Sequence, residues 1–334
     1  VRLLASFNDF YIDEIWSFYF TPRMRSVLDV FMIRHDNNHI LNTAYMYLAG
    51  GEPGFLFGRP EFIRLRLLSV LSGTASLGLL WLIARKRGRI EAFTAVVLAG
   101  LSYPLVIYSS EARGYAPAIF FALLSFIITG AYLKRPRFFL LPLLWVFVAV
   151  GFLFHSSFIY VYLALGIWSL FQIAGERGIS GAVAGNVKLH AVPLAFVAAL
   201  YFFFLRGMTI GGGAEGTLWG ELQVMAGMIT GLPGEGVWGP LAAAAVLLLC
   251  VTGLAGLYAH QGRGKGSLAF YLPVVFITPA VTLVLMKPEL IYFRYFLVIF
   301  PFIYLLAASS LASLYGRPGW GRPAFTAVMA VFIL

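Results

Sequence analysis

Two adjacent carboxylates, Asp13 and Glu14, are the residues of this chain best placed to carry chemistry. An aspartate with an ordinary pKa is ionised at neutral pH and can accept the proton of an attacking hydroxyl group. The pair precedes a polar segment at residues 35–39, and most of the chain beyond that segment is apolar. Because charged groups beside hydrocarbon are costly, carboxylates gathered there are candidates for function.

The composition of the chain places it in a membrane. Its 334 residues are 60% hydrophobic and only 11% charged, and the mean hydropathy is +0.87. Apolar runs of about 20 residues recur, which is the length that a helix needs to cross about 30 Å of hydrocarbon. The runs lack the alternation of barrel strands, so we predict an all-α, polytopic helical bundle.

The predicted bundle has about ten apolar segments, the last of them truncated. They lie at 65–84, 92–110, 115–133, 138–154, 157–174, 187–206, 240–259, 268–286, 294–314 and from about 323 onward. The chain opens at Val1 with no apolar run before Asp13, so we expect a first helix to be missing upstream.

Charges predict the orientation of the bundle. Basic clusters at 85–89 and 134–137 belong in the cytoplasm, and the acids then collect mainly on the opposite, outer face. This topology accounts for the formal net charge of +10, so we expect no nucleic-acid partner. Residues 1–64 form the predicted outer first loop, and 65–334 form the bundle with a second outer loop at 207–239. Residues 40–48 are too short to span and predict a helix lying on the membrane surface.

Several motifs, in order along residues 8–170, resemble those of the type C (GT-C) glycosyltransferases. The resemblance is strongest to the bacterial dolichyl-phosphate-mannose-protein mannosyltransferase-like group, and a weaker similarity occurs at Arg294-Tyr295. The motifs are Asp13-Glu14, Asn37-Asn38-His39-Ile40-Leu41-Asn42, Arg64-Leu65-Arg66 and Ser110-Glu111-Ala112-Arg113-Gly114-Tyr115.

This resemblance implies an inverting enzyme of a bacterial or archaeal cytoplasmic membrane. Such an enzyme moves a monosaccharide from a polyprenyl-phosphate donor, held among membrane lipids, to an acceptor hydroxyl of a protein, lipid or glycan on the outer side. Asp13 matches the first acid of the family's pair and would be the general base. Glu14 would orient the acceptor, tune Asp13 by like-charge coupling, or bind a cation.

A departing lipid phosphate needs positive charge near the interface. Arg113 and Arg294 are favoured because both occur in family-like motifs, although such side chains also extend to lipid headgroups without any catalytic role. The candidates for phosphate binding are Arg64, Arg66, Arg113, Lys287 and Arg294.

A further set of residues is expected to line the substrate pocket. A first-turn acid also suits a helix dipole, and interfacial tyrosines also anchor membrane helices, so these ordinary roles stay open. His39 fits the family pattern, although Ile40 and Leu41 stand where the family commonly has two prolines. The pocket candidates are Asn38, His39, Glu111, Tyr115, Tyr292 and Tyr295.

A divalent-cation site is left open by the spacing of His35 and His39. A spacing of four residues places two imidazoles on one helical face, where Glu14 or Glu111 could complete the site. Histidine pairs are also often simply exposed. No other cofactor is expected, because the chain has no glycine-rich nucleotide loop, and this favours a lipid-linked donor.

Two other functions compete with the transferase. A transporter or flippase of lipid-linked saccharides would need charged residues near the bilayer midplane, where this chain has almost none. A polymerase or ligase acting on lipid-diphosphate glycans would share the membrane location and would not require Asp13.

Overall fold

A computed structural model describes residues 1–50, 61–211, 216–260, 268–286 and 291–333. Every regular element within these ranges is helical, and the one β-contact there is an isolated bridge between His35 and Thr209. The predicted all-α class is therefore confirmed.

The α-helices of the described ranges follow one another with mostly short connections. They are α1 (Arg2–Ala5), α2 (Ile12–Phe20), α3 (Ile40–Ala49), α4 (Glu61–Ala84), α5 (Arg89–Leu101), α6 (Tyr103–Tyr108), α7 (Tyr115–Lys134), α8 (Leu140–Phe154), α9 (Ile159–Phe203), α10 (Leu218–Thr230), α11 (Trp238–His260), α12 (Leu268–Leu272), α13 (Thr278–Met286), α14 (Phe300–Tyr315) and α15 (Gly321–Ile333).

Short 3-10 segments add to these helices. A π-helical turn at Pro273–Ile277 joins α12 to α13, so the two form one continuous rod. The 3-10 segments are Thr21–Arg23, Val27–Met32, Ser156–Phe158, Leu205–Gly207 and Phe293–Ile299.

Six helical stretches in the described ranges are long and apolar enough to cross a membrane. They are Ile63–Ala84, Tyr115–Lys134, Ser156–Gly207, Trp238–Ala259, Leu268–Leu285 and Phe293–Tyr315. Two shorter apolar helices, α8 and α15, accompany them. These lengths and compositions support a multi-pass membrane protein, with fewer full spans than the roughly ten segments predicted.

The six stretches include α9 as one, and they exclude the shorter helices α8 and α15 and the divided segment 92–110. The predicted segment 92–110 is interrupted at Ser102, because Pro104 has no N–H to continue the helical ladder from α5 into α6. The predicted segments 157–174 and 187–206 are both present, as two helices that α9 contains on either side of a break. Their junction is at Gly178, whose φ of 71° is readily adopted only by glycine.

The chain divides into two compact units, each built from segments that are distant in the sequence. The first unit comprises Val1–Ser76, Val106–Ile159 and Gly185–Gly213, and the second comprises Leu77–Leu105, Tyr160–Ala184 and Ala214–Leu334. The predicted boundary at residue 64 concerns membrane topology and stays a prediction.

The first unit is organised around the packing of α7 against α8, with α3 against α8. Gly151 allows this close approach, since a Cβ there would lie 2.2 Å from the ring of Phe158. The helix predicted at 40–48 is confirmed as α3, and its location at a membrane surface stays a prediction.

The second unit is centred on α14, which packs against α5, α11 and α15. Gly253 of α11 lies against the backbone of Leu306, where a Cβ would come within 2.3 Å of the carbonyl oxygen. The Tyr304 hydroxyl donates to Ser102 Oγ at 2.7 Å and ties α14 to the end of α5. Helix α10 lies within residues 207–239, and the predicted placement of this segment on the outer side stays a prediction.

Candidate active site

Asp13 and Glu14 lie in the first turn of α2, where the helix dipole favours negative charge. Although they are adjacent, the two carboxylates face different partners and differ in exposure. The Glu14 side chain is completely buried, whereas 10% of the Asp13 side chain remains exposed. The structure therefore separates the two acids that the sequence presents as one pair.

Glu14 is held by four hydrogen bonds. Arg66 Nε donates to Oε1 at 2.8 Å and Arg66 Nη2 to Oε2 at 2.7 Å, which forms a two-pronged ion pair. The backbone N–H of Ala112 donates to Oε1 at 2.6 Å, and that of Tyr11 donates to Oε2 at 2.9 Å. This arrangement joins α2, α4 and the loop before α7.

Arg66 donates its remaining N–H groups to backbone carbonyls. Its Nη1 donates to the carbonyls of Ser6, at 2.8 Å, and of Asn8, and its Nη2 donates to that of Asp9 at 2.9 Å. With the two bonds to Glu14, all five guanidinium donors are engaged. The side chain is also 98% buried, so its geometry fits an anchor for residues 6–14 better than the predicted phosphate contact.

Arg113 forms the second ion pair of the site, with Asp13. Its Nη1 donates to Asp13 Oδ2, while Nη2 donates to Asn37 Oδ1 at 3.2 Å and lies 3.1 Å from His39 Nε2. The guanidinium is also 5.2 Å from the centroid of the Tyr115 ring, within the range of a cation–π contact. The sequence predicts that Arg113 binds the donor phosphate, and in the structure it forms an ion pair with the candidate base, Asp13.

The loop at residues 109–114 contacts both Glu14 and Asp13. Besides the Ala112 N–H that reaches Glu14, its Ala112 carbonyl accepts from Asn42 Nδ2 at 2.6 Å. The Arg113 carbonyl accepts from Ser69 Oγ at 2.9 Å. Three helices, α2, α3 and α4, thus fix the loop from different sides.

Glu111 belongs to the same loop and lies in the field of both ion pairs. Burial raises the pKa of its carboxyl to about 7, with a further contribution from the negative charge of Glu14, against the opposing effect of Arg113. Its Oε2 is buried and has no hydrogen-bond partner among the described residues. Glu111 is thus a carboxyl that readily holds a proton near neutral pH.

Three aromatic rings lie beside Arg113. The His39 and His155 rings are stacked with centroids 4.8 Å apart, and Tyr115 lies 4.1 Å from His155. The Ser157 N–H donates to His155 Nδ1 at 3.0 Å, which fixes the orientation of that ring. His39 and Tyr115, both predicted to line the pocket, are therefore close together.

The histidines predicted to bind a cation are not on one helical face. His35 forms the bridge with Thr209 and stacks on Trp16 at 5.6 Å, whereas His39 precedes α3 and contacts Arg113. Glu14 is occupied by Arg66. Among the described residues, no group of three His, Cys, Asp or Glu side chains lies close enough to hold a metal.

Two other predicted residues have structural contacts. Asn38 Nδ2 donates to the carbonyls of Val30, at 2.8 Å, and Ile33, at 2.7 Å, and so closes the loop before α3. Arg64 is exposed and donates to the Gly50 carbonyl.

The remaining candidates belong to the second unit or lie outside the described ranges. Tyr292 and Tyr295 pack edge to face at 5.6 Å, and Arg294 lies 4.5 Å from the Tyr292 ring centroid. These three residues are partly exposed at the start of the 3-10 segment Phe293–Ile299. Lys287 lies outside the described residues.

Three contributors to the site have no role in the sequence-based predictions, although Asn37 lies in one of the family-like motifs. Ser17 Oγ donates to the carbonyl of Asn37 at 2.9 Å, and Asn37 in turn accepts from Arg113. His155 packs on His39. The available signal was the position of His155 as a polar residue between two apolar helices, while Ser17 gave none.

No family model matches the chain, and no curated protein or solved structure matches it either.

Proposed function

We propose that the chain is an inverting membrane glycosyltransferase that takes a monosaccharide from a polyprenyl-phosphate donor, with Asp13 as its general base. One observation carries the proposal: of two adjacent acids, Glu14 is saturated by hydrogen bonds and buried, while Asp13 keeps an accessible edge. A base must reach the proton that it removes, so the division of exposure favours Asp13.

The reaction that suits this geometry is a single displacement. The acceptor hydroxyl gives its proton to an Asp13 carboxylate oxygen while its own oxygen forms a bond to the anomeric carbon of the sugar. The bond from that carbon to the phosphate oxygen breaks at the same time, and the polyprenyl phosphate leaves with the electron pair. Attack opposite the leaving group inverts the anomeric configuration.

Arg113 has a supporting role in this scheme. Its fixed position orients the Asp13 carboxylate, since one nitrogen binds Asp13 and the other is held by Asn37 and His39. The phosphate contact of Arg294 stays a prediction from the sequence; its partly exposed side chain lies beside tyrosines, which is a suitable environment for an interfacial phosphate.

The proposal is tested with the full chain, purified in detergent or placed in lipid nanodiscs. The protein is incubated with a panel of polyprenyl-phosphate monosaccharides and simple alcohol or glycan acceptors, and the released polyprenyl phosphate is measured. We expect turnover with at least one donor and a loss of about 1,000-fold or more in Asp13→Asn, as general-base catalysis contributes about 10²–10⁴-fold.

Asp9→Asn is the matched control. Asp9 is an exposed acid of the same segment, and its contact with Arg66 is made by the backbone carbonyl, which the substitution keeps. Near-normal turnover in Asp13→Asn would remove Asp13 from the mechanism. Use of lipid-diphosphate oligosaccharides alone would instead favour a polymerase or ligase.

A further inference from the structure

The contact between Arg113 and His39 determines the protonation of the imidazole. A guanidinium group has donors only, so the His39 Nε2 atom that lies 3.1 Å from Arg113 Nη2 must be the acceptor. An imidazole that accepts at Nε2 and is neutral carries its proton on Nδ1. His39 is therefore fixed as the Nδ1–H tautomer wherever this contact is kept.

His155 has the opposite tautomer for a similar reason. Its Nδ1 accepts the Ser157 N–H at 3.0 Å, so its proton is on Nε2. The two rings are stacked with an angle of 27° between their planes. Both are neutral in this arrangement, and Arg113 therefore has no second cation within the ring stack.

The backbone around His39 holds the ring in place. A Cβ added at Gly114 would lie 1.9 Å from the Phe154 carbonyl oxygen and 3.1 Å from the His39 Cβ, so only glycine allows this approach. The carbonyl of His39 accepts from the Thr43 N–H at 2.8 Å at the start of α3. The imidazole is thus attached to a packed helix end.

We infer that His39 is a positioning residue, which holds one nitrogen of Arg113 so that the other is directed at Asp13. This inference rests on the proposed function, because it gives His39 a part in the reaction through the base. His39 touches neither the reacting hydroxyl nor the sugar in this scheme. It differs from the substrate-lining and metal-binding roles expected from the sequence, because its Nε2 is committed to Arg113.

Kinetics of paired variants test the positioning role. His39→Gln keeps an acceptor at about the same reach, whereas His39→Leu removes it. We expect His39→Leu to lower kcat by about 100-fold with little change in the KM for donor, since a small misplacement of a catalytic group costs about that much. His39→Gln should recover most of the loss, and a residue that served only packing would show no such difference between Gln and Leu.

His190→Gln and His190→Leu are the controls, because His190 is a buried histidine of α9 and not of the loop that carries Asn37 and His39. Both should retain kcat. Equal losses in His39→Gln and His39→Leu, or no loss in His39→Leu, would overturn the inference.

A spectroscopic measurement separates this inference from the proposed function. The full chain labelled with 15N-histidine has five imidazoles, which single His→Gln variants assign. We expect the His39 signals of an Nδ1–H tautomer and the His155 signals of an Nε2–H tautomer. An Nε2–H tautomer at His39 in an active protein would refute the positioning role alone, whereas the expected tautomers without turnover of any donor would refute the proposed function.

Discussion

Glu14 and Arg66 form a two-pronged ion pair although 52 residues separate them in the sequence. Both side chains are almost completely buried, and every guanidinium N–H has an acceptor. A buried charge pair of this kind does not always stabilise a protein relative to apolar residues, but removal of one partner leaves a buried charge behind. Substitution of Glu14 therefore tests whether this residue has a structural role.

Glu14→Gln should destabilise the protein by about 3 kcal/mol, because Arg66 keeps its charge and loses a carboxylate. The measurement is the midpoint of denaturant unfolding in detergent, with Glu235→Gln as a control at an exposed acid. If Glu14→Gln unfolds like the wild type and yet loses turnover, Glu14 has a direct chemical role instead.

The pH dependence of stability should contain a contribution from Glu111. Burial raises the pKa of Glu111 to about 7 in the folded chain, against an ordinary value of 4.5. The folded state therefore holds this proton more tightly than the unfolded state. The resulting stability is fully present below about pH 4.5 and is lost as the pH rises through about 7.

Glu111→Gln keeps the neutral form at every pH. We expect it to be more stable than the wild type at pH 8, by up to about 3 kcal/mol, with much of the advantage gone at pH 5. Thermal unfolding of both proteins across this range measures the effect. A constant difference between pH 5 and pH 8 would contradict the raised pKa.

Gly114→Ala should be strongly destabilising. The added methyl group would lie 1.9 Å from the Phe154 carbonyl oxygen, so α7 and the end of α8 would have to separate. We expect a loss of about 2 kcal/mol or more in unfolding free energy, as is usual for overpacking against rigid backbone. Gly78→Ala is the control, because nothing lies within 4 Å of its added Cβ. Similar melting of both variants would show that the contact between Gly114 and Phe154 is not formed.

Arg294→Ala should weaken the use of a polyprenyl-phosphate donor. A charge-assisted hydrogen bond contributes about 1.5–3 kcal/mol, so we expect the KM for donor to rise about tenfold or more, with the KM for acceptor nearly unchanged. Arg317→Ala is the control, since Arg317 lies similarly near an aromatic ring, that of Trp320. An unchanged donor KM would count against phosphate binding by Arg294.

The long apolar helices could be predicted from the sequence because length and composition determine them. The segment predicted at 115–133 is α7, Tyr115–Lys134, and that at 240–259 is α11, Trp238–His260. The interruption at Ser102 escaped prediction because hydropathy does not register the missing N–H of Pro104. The segments predicted at 157–174 and 187–206 are the parts of α9 on either side of Gly178, where φ is 71° and the helix is broken.

The site could be predicted only in part. The chemical type of the charged and titratable residues is enough to single them out as candidates. Four of these candidates lie close together in the structure: Asp13, His39, Glu111 and Arg113. Their partners could not be predicted, because the contact between Asp13 and Arg113 joins residues 100 positions apart. Nothing in the sequence indicates that Glu14 pairs with Arg66 and Asp13 with Arg113, since this pairing depends on how α2 and α4 pack.

The loop at residues 109–114 contacts both acids of α2, Asp13 and Glu14, each of which belongs to an ion pair. Two consecutive residues of the loop contact two consecutive residues of α2. The Ala112 N–H donates to Glu14, and the Arg113 side chain donates to Asp13. Inserting or deleting a single residue in the loop would displace both the Ala112 N–H and the Arg113 side chain from their partners. A change in the length of this loop would therefore disturb the contacts of Asp13 and Glu14 at the same time.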